Sequence, residues 1–487
     1  MSLIKTVRTW GINAANTLAY IGSAGKATLH DGRYQLGRWT NWNRETAARP
    51  RLYATPSTEA ELCQVVRDAK RLRVVGAGHS FGDQPVSSDV MLSLERYNRL
   101  VSMDASADAG GTLRVQAGMR LRELQQILYA HGRALPAAGS TDAQTLGGLI
   151  ANDVHGSGRD HAFFSESVTA LRLVDAAGQA RTFRRGEELF HAAIGTAGMA
   201  GVVIELELVT VPLYDVAKSI AILDSASLRD RIETLLEQND HLSFYFLGGV
   251  HTPRVRANIW NRTIKPVSPY AHLRKLRLEV EDMAFSGYLL GLARSVHQLD
   301  RTASVGFRLE ERFDSEVVVL PATEAYARKL FYDHDEIEYG VPFARWHDCL
   351  DEVRAYLLAK QFFTIVEVRF SPDVSPALLG PGVGRRTCYI ELAPSVSVDS
   401  SQVFADVEQI FWKYDGQVHL GKRTRARPAD LRRMYGVRYD RFLAAWRAQD
   451  PTAKFVNEFA ARVLVSDEND GGYVLSSTGQ GTPDRAV

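Results

Sequence analysis

An α+β chain of two domains is what the sequence predicts, and three observations carry it. From Tyr53 to Pro212, short helical and strand patterns alternate, with glycine-rich loops between them. Beyond Pro212 the helical stretches lengthen and those loops disappear before strand patterns return. Of 487 residues, 45% are apolar, which is enough for extensive cores.

At the N-terminus, Leu3, Val7, Trp10, Ala14, Leu18 and Ile21 recur at helical spacing beside Lys5 and Arg8, predicting an amphipathic helix within an arm of residues 1–40. Asn13 and Asn16 interrupt it, so it is neither a signal peptide nor the ~20 apolar residues that a bilayer span needs. It is expected to pack on its own protein or a second subunit, with weak contact to a membrane surface as the alternative. Next, Thr58 and Glu61 make a capping box behind Pro56, and Leu62, Val65, Val66 and Ala69 share one helical face. Residues 73–75 and 113–117 read as strands; Leu121, Leu124, Ile127 and Leu128 mark a helix ending near Gly132. Residues 170–174 turn through Asp175 to Gly178 into "QARTF" as a hairpin. In "GVVIELELVTV", Val203, Glu205 and Glu207 face opposite to Ile204, Leu206 and Leu208, the period of a half-buried strand. These elements make residues 41–213 one α+β domain.

A second domain, residues 214–420, is expected to hold helices at 229–238 and 270–300 and strands at 336–341 and 362–370. Strand, helix and a compact end follow in a segment 421–465; the Gly-, Ser- and Asp-rich tail 466–487 is expected to stay mobile. No internal repeat is visible.

Lys plus Arg total 58 against 57 for Asp plus Glu, so no global field draws the chain toward nucleic acid, and a small-molecule partner is expected. Cys63, Cys349 and Cys388 are few, odd in number and far apart. They suit free thiols in a reducing compartment, hence a cytoplasmic protein, better than a disulfide framework or a zinc site.

The loop "RVVGAGHSFGDQP" resembles a Rossmann fingerprint, but Phe81 stands at the third glycine position and turn sequence follows in place of a helix. What remains is a strand followed by turn-tolerant residues, whose N–H groups can form an anion-binding nest; a tight turn with a surface histidine is the plain alternative. A second stretch, "PAAGSTDAQTLGGLIANDVHGSGRDHAFFSESV", crowds Gly139, Gly147, Gly148, Gly156 and Gly158 among hydrogen-bonding side chains. That suits backbone lying directly against a flat, phosphate-bearing ligand. His155 and His161 lack a Cys or third His at a useful spacing, so no metal site is expected.

These motifs, with "GTAGMAGVVIELELVTVP", "HLGK…MYG…DPTAKFVNEF", "NWNRET" and "IEYGVP", resemble the vanillyl-alcohol-oxidase type of FAD flavoprotein, in its sugar-lactone and alditol oxidase branch, over residues 40–465. The resemblance implies a two-domain FAD-binding fold with a substrate, or cap, domain on a mixed or antiparallel sheet, the C-terminal segment closing the site on the FAD domain. It implies FAD joined covalently through His79, with Gly76, Gly78, Ser80, Ser140, Gly147, Gly148, His155 and Gly156 as contacts and Val203 near the adenine end. The electron-withdrawing bond to His79 makes a flavin more oxidising.

Glu367 and Arg369 in "TIVEVRF" project from one face of a strand and could be a surface pair on a sheet edge. The resemblance makes them the family's E-x-R substrate pair, and Lys422 in "HLGK" its active-site lysine. Glu367 then binds substrate hydroxyls, Arg369 the reacting hydroxyl, and Lys422 neutralises charge beside the flavin; which group is the base stays open. Arg423, Arg425 and Arg427 read as a solvated basic edge. Leu420 and Val418 replace the family's usual tryptophan and proline, so the stacking wall differs. The expected reaction is oxidation of a CH–OH group of a sugar lactone, alditol or related polyol by hydride transfer to the flavin, with oxygen or another acceptor. "GHSFGD" and "NDVHGSGRDH" are also similar to decaprenylphosphoryl-ribose oxidase, so a specialised or lipid-linked sugar is the alternative substrate.

Overall fold

The alternation in "GVVIELELVTV" is realised as the strand Val202–Pro212, which pairs antiparallel with Val168–Val174 on one side and Gly111–Gln116 on the other. Ile204, Leu206 and Leu208 are buried on one face, each worth about 1.5–3 kcal/mol of apolar transfer. On the opposite face, Glu205 accepts from Arg114 at 2.7 Å. The computed structural model describes residues 31–104, 110–139, 141–283, 317–327 and 333–465. The expected N-terminal helix, Ser140, the part of the helix expected beyond Met283 and the tail from Ser466 lie outside them.

Among the described residues, this antiparallel sheet is flanked by a three-stranded parallel one, Leu52–Ala54, Val90–Ser93 and Leu72–Val75, in that order. The helix Glu59–Asp68 packs Leu62, Cys63 and Val66 into the core beneath them. Thr58 caps it by accepting from Glu61 N, as its sequence predicts. The Glu61 carboxylate, however, reaches one residue further back, to Ser57 N at 2.8 Å. The hairpin joining Val168–Val174 to Ala180–Arg184 and the helix Leu121–Ala130 lie where the sequence puts them.

An eight-stranded antiparallel sheet carries the rest. Its order is Val318–Pro321, Asp215–Asp224, Arg254–Thr263, His241–Gly248, Thr364–Ser371, Thr387–Ala393, Ile337–Pro342, Gln417–Val418. The strand Thr364–Ser371 is therefore interior, paired on both sides and buried throughout, so the reading of Glu367 and Arg369 as a surface pair on an edge is wrong. Val366, Val368 and Phe370 join the core on one face, against Val353 and Leu357 of the helix Trp346–Ala359. Alternation then obliges Glu367 and Arg369 to face the other way.

The C-terminal segment returns to the first sheets. Leu72 N donates to Lys454 O at 2.9 Å. The buried Arg73 spans Gln84 O, Phe455 O and Ala197 O at 2.7, 2.8 and 2.5 Å. One cation thus ties the strand before the glycine loop to the loop's far end and to the C-terminal segment, and it also donates to Met199 Sδ at 3.6 Å.

Candidate active site

Two turns meet at the rim of one cavity because backbone bonds hold them there. Phe81 N donates to Gly421 O at 3.0 Å and Gln84 Nε2 to Leu420 O at 2.6 Å, so "GAGHSFGD" and "HLGK" are fastened together. Phe81, the residue that spoils the dinucleotide fingerprint, lies under Lys422, whose Nζ is 5.0 Å from the ring centroid. Gly78 has φ of +73°, and a Cβ there would come within 2.7 Å of Gly32 Cα, so both conformation and space demand glycine. His79 follows directly, its ring stacked on Trp42 at 5.8 Å and its Nε2 3.4 Å from Asp31 Oδ1.

The second glycine stretch is not loop throughout. Thr145 caps a short helix, Leu146–Ala151, with Gly147 and Gly148 in its first turn. A Cβ on Gly76 would collide with Thr145 Oγ1, so this cap and the first loop are in contact. Gly147 N donates to Ala117 O at 2.8 Å and lies beside Val203 O, while Gly156 N donates to Ala162 O at 2.7 Å.

Facing these loops is a wall of charge from three adjacent strands and the Lys422 turn. Arg369 Nη2 donates to Glu338 Oε1 at 2.6 Å and Glu391 Oε2 at 2.7 Å, with Glu367 Oε1 3.9 Å from its Nε. Lys422 bonds the Glu336 carboxylate and lies 3.3 Å from Glu391 Oε2. Glu336 Oε1 also meets His334 Nε2 at 2.6 Å. Burial disfavours the Arg369 charge, but Glu338, Glu367 and Glu391 outweigh it and hold the guanidinium above its ordinary value. Burial likewise opposes ionisation of Glu338, yet Arg369 and His155 keep its carboxyl well below the usual range. Burial pulls Lys422 down to about 7, against which the Glu336 and Glu391 contacts favour its ammonium.

The cavity between loops and wall is lined by Trp42, His79, Gln144, Asn152, Glu338 and Lys422, among others. Trp42 Nε1, Gln144 Oε1 and Asn152 Oδ1 are buried there without a hydrogen-bond partner among the described residues. One donor and two acceptors left unmatched at a cavity wall call for a polar ligand. An isoalloxazine could answer Trp42 with a carbonyl and one of the two side-chain acceptors with its single ring N–H.

Of the residues expected from sequence, the structure brings His79, Ser80, His155, Arg369 and Lys422 to this one cavity. Glu367 reaches it through Arg369, whereas Gly76, Gly78, Gly147, Gly148, Gly156 and Val203 lie in the neighbouring loops and strand and are not among the residues that line it; Ser140 lies outside the described residues. Sequence reasoning missed Glu336, Glu338, Glu391 and His419. Glu336 and Glu338 alternate within the strand predicted at 336–341 just as Glu367 and Arg369 do in theirs, a signal that was there to read. His419 is the third histidine that seemed lacking: it, His155 and Glu338 present atoms within 4.8 Å of one another, all buried.

Asp153, two residues before His155, has φ of +47° and is wholly buried. Its carboxylate accepts from Ser165 Oγ at 2.7 Å and from Ser375 Oγ at 2.5 Å, fastening the loop to a segment of the other sheet's connections. Burial pushes it up to about 6, and the two hydroxyls only partly offset this.

Known proteins resemble this chain in sequence and in fold. Residues 50–184 match the model of an FAD binding domain, and 206–463 match that of D-arabinono-1,4-lactone oxidase. The chain is 29% identical over 438 residues to L-gulono-1,4-lactone dehydrogenase of Mycobacterium tuberculosis, covering 88% of this chain and 99% of the relative. It is 26% identical over 451 residues to L-gulonolactone oxidase of Bos taurus, with the same coverage. Among solved structures, cholesterol oxidase from B. sterolicum superposes with a TM-score of 0.73 at 13% identity, over 88% of this chain and 97% of that one, which shows the fold.

Proposed function

Because the chain belongs to the D-arabinono-1,4-lactone oxidase family and carries its FAD-binding domain, we propose that this FAD-dependent oxidoreductase oxidises a CH–OH group of a neutral sugar lactone. The observation that carries the substrate class is the balance of the buried wall. Four carboxylates, Glu336, Glu338, Glu367 and Glu391, stand against Arg369, which is always charged, and Lys422, which burial pulls down to about 7. Such a wall accepts hydrogen bonds from hydroxyls and repels a carboxylate or phosphate, so the ring-closed lactone is selected over its open aldonate.

Bound FAD supplies a hydride acceptor. His79 would tether it, and Gly76, Gly78, Ser80, Gly147, Gly148 and Gly156 would leave room for its close approach. Trp42 and one of Gln144 and Asn152 would bond its polar edge. Lys422 places positive charge at the cavity, where it opposes negative charge that accumulates on reduction. Arg369 holds three carboxylates in register for substrate hydroxyls. Oxygen is the acceptor we favour for reoxidation, and the cytoplasm the location.

The test is the visible spectrum of the purified protein mixed anaerobically with L-gulono-1,4-lactone, D-arabinono-1,4-lactone, alditols and the open aldonates, followed by air. Bleaching by a lactone and not by its aldonate is expected, with rapid return of colour in air. Bleaching by an aldonate, or by none of these compounds, overturns the reading; slow return of colour in air would make it a dehydrogenase.

A further inference from the structure

We propose that the space bounded by His155, Glu338 and His419 seats the hydroxyl that is oxidised, with His155 Nε2 accepting its proton and His419 Nε2–H donating to its oxygen. This rests on the reading of the chain as an FAD-dependent sugar-lactone enzyme.

The hydrogen-bond network sets the two imidazoles in opposite senses. His155 Nδ1 is 3.0 Å from Gly156 O, and a carbonyl can only accept, so Nδ1 carries the proton and neutral His155 shows a lone pair at Nε2. Gly421 N donates to His419 Nδ1 at 3.1 Å, so neutral His419 carries its proton at Nε2. One ring is thus an acceptor and the other a donor, and both Nε2 atoms face Glu338, at 3.2 and 4.0 Å.

Two buried atoms in this space lack a hydrogen-bond partner among the described residues: His155 Nε2 and Glu338 Oε2. An unmade bond at such depth is costly unless a ligand makes it. The dimensions suit an oxygen atom. Three atoms within 4.8 Å of one another can all lie about 2.8 Å from a common centre, the length of an ordinary hydrogen bond. A zinc ion bonded at 2.0–2.1 Å would draw its ligands to about 3.4 Å apart, closer than the 4.0 Å between His419 Nε2 and Glu338 Oε2. It would also require His419 to give up its bond from Gly421 N, because Nε2 would have to lose its proton.

The other groups around His155 decide which of them takes the proton. Its ring stacks on Tyr389 at 3.7 Å and lies near Phe163 and His419; the charged groups facing it are Glu338 and, behind that, Arg369. Glu338 is engaged by the Arg369 guanidinium and so is a weak base. Lys422 is engaged by the Glu336 and Glu391 carboxylates, which favour its ammonium over the free amine. Neutral His155 has one, and the imidazolium it becomes lies directly against the Glu338 carboxylate. In the reaction the substrate's O–H bond breaks and its proton goes to His155 Nε2. The C–H bond breaks with its electron pair leaving as hydride to the oxidised flavin, and the carbon–oxygen double bond forms.

The test uses flavin-loaded wild type, His155→Gln, Glu338→Gln and His419→Phe, each checked for flavin content and melting temperature. Reduction by L-gulono-1,4-lactone is followed anaerobically across acid to alkaline pH. Binding of that lactone to chemically reduced enzyme, which cannot turn it over, is measured by calorimetry. H155Q is expected to lose on the order of 10²–10⁴ in reduction rate, together with the acidic limb of the profile, while binding the lactone within a few-fold of wild type. E338Q, lacking the anion, is expected to move that limb to lower pH, and H419F to lose affinity and rate together. A wild-type rate and profile in H155Q, or an unmoved limb in E338Q, overturns the proposal. If wild type itself is not reduced by any lactone, the sugar-lactone reading falls first and takes the proposal with it.

Discussion

Arg369 Nη2 is shared between Glu338 at 2.6 Å and Glu391 at 2.7 Å, residues on two different strands, although neither lies within twenty positions of it in sequence. The guanidinium is the joint by which three strands present one acidic wall to the cavity.

Removing that joint strands buried carboxylates without a counter-charge. Arg369→Ala is expected to cost about 3–5 kcal/mol of stability and to abolish flavin reduction by substrate, read by denaturant unfolding and anaerobic spectra. Arg369→Lys keeps the charge but lacks the fork that reaches two carboxylates at once, so it should recover much of the stability and little of the rate. Full activity in the lysine variant would mean that the charge alone suffices.

Gly76→Ala places a methyl against Thr145 Oγ1, the cap of the Leu146–Ala151 helix. One loop or the other must give way, at about 1–3 kcal/mol. Weaker retention of FAD through gel filtration than in wild type is the expected readout, with a lowered melting temperature.

His79→Ala tests the tether. Wild-type flavin should precipitate with acid-denatured protein and fluoresce on a denaturing gel, whereas in the variant all colour should move to the supernatant. Flavin that washes out of acid-precipitated wild type would show that His79 lines the site without bonding to the cofactor.

Asp153 gives the fold a pH dependence of its own. Its folded value, about 6, lies above the ordinary 3.8, so the folded state holds this proton more tightly. The contribution is fully present below about pH 4 and is lost as pH rises through 6, amounting to about 3 kcal/mol. In Asp153→Asn that slope is absent. The difference in unfolding free energy between wild type and variant should therefore shift by about that amount over this interval, against the wild type as pH rises. A difference flat with pH would show the carboxyl to be ionised at little cost.

Local pattern made the first sheets legible. The Thr58 cap, the hairpin through Asp175 and the alternation of Val202–Pro212 depend on neighbours within a few residues, which is the range that sequence periodicity reports. The glycine stretch was legible as special but not as partly helical. Gly147 and Gly148 argue against helix by propensity, and what overrides them is the Thr145 cap and the packing of Leu146, Leu149 and Ile150 into the core.

The sequence by itself determined the alternation of Glu367 with Val366 and Val368, and with it that charge and core lie on opposite faces of one strand. It also determined, through Gly76, Gly78 and the residues between Gly139 and Gly158, that backbone must approach something closely there. Only tertiary structure decided that the strand is interior, that Glu336, Glu338 and Glu391 join the pair, and that His155 and His419 show opposite tautomers to a shared space. The reason is range: period and propensity act over a few residues, whereas strand order, and with it the meeting of His155 with His419, is set by partners far apart in sequence.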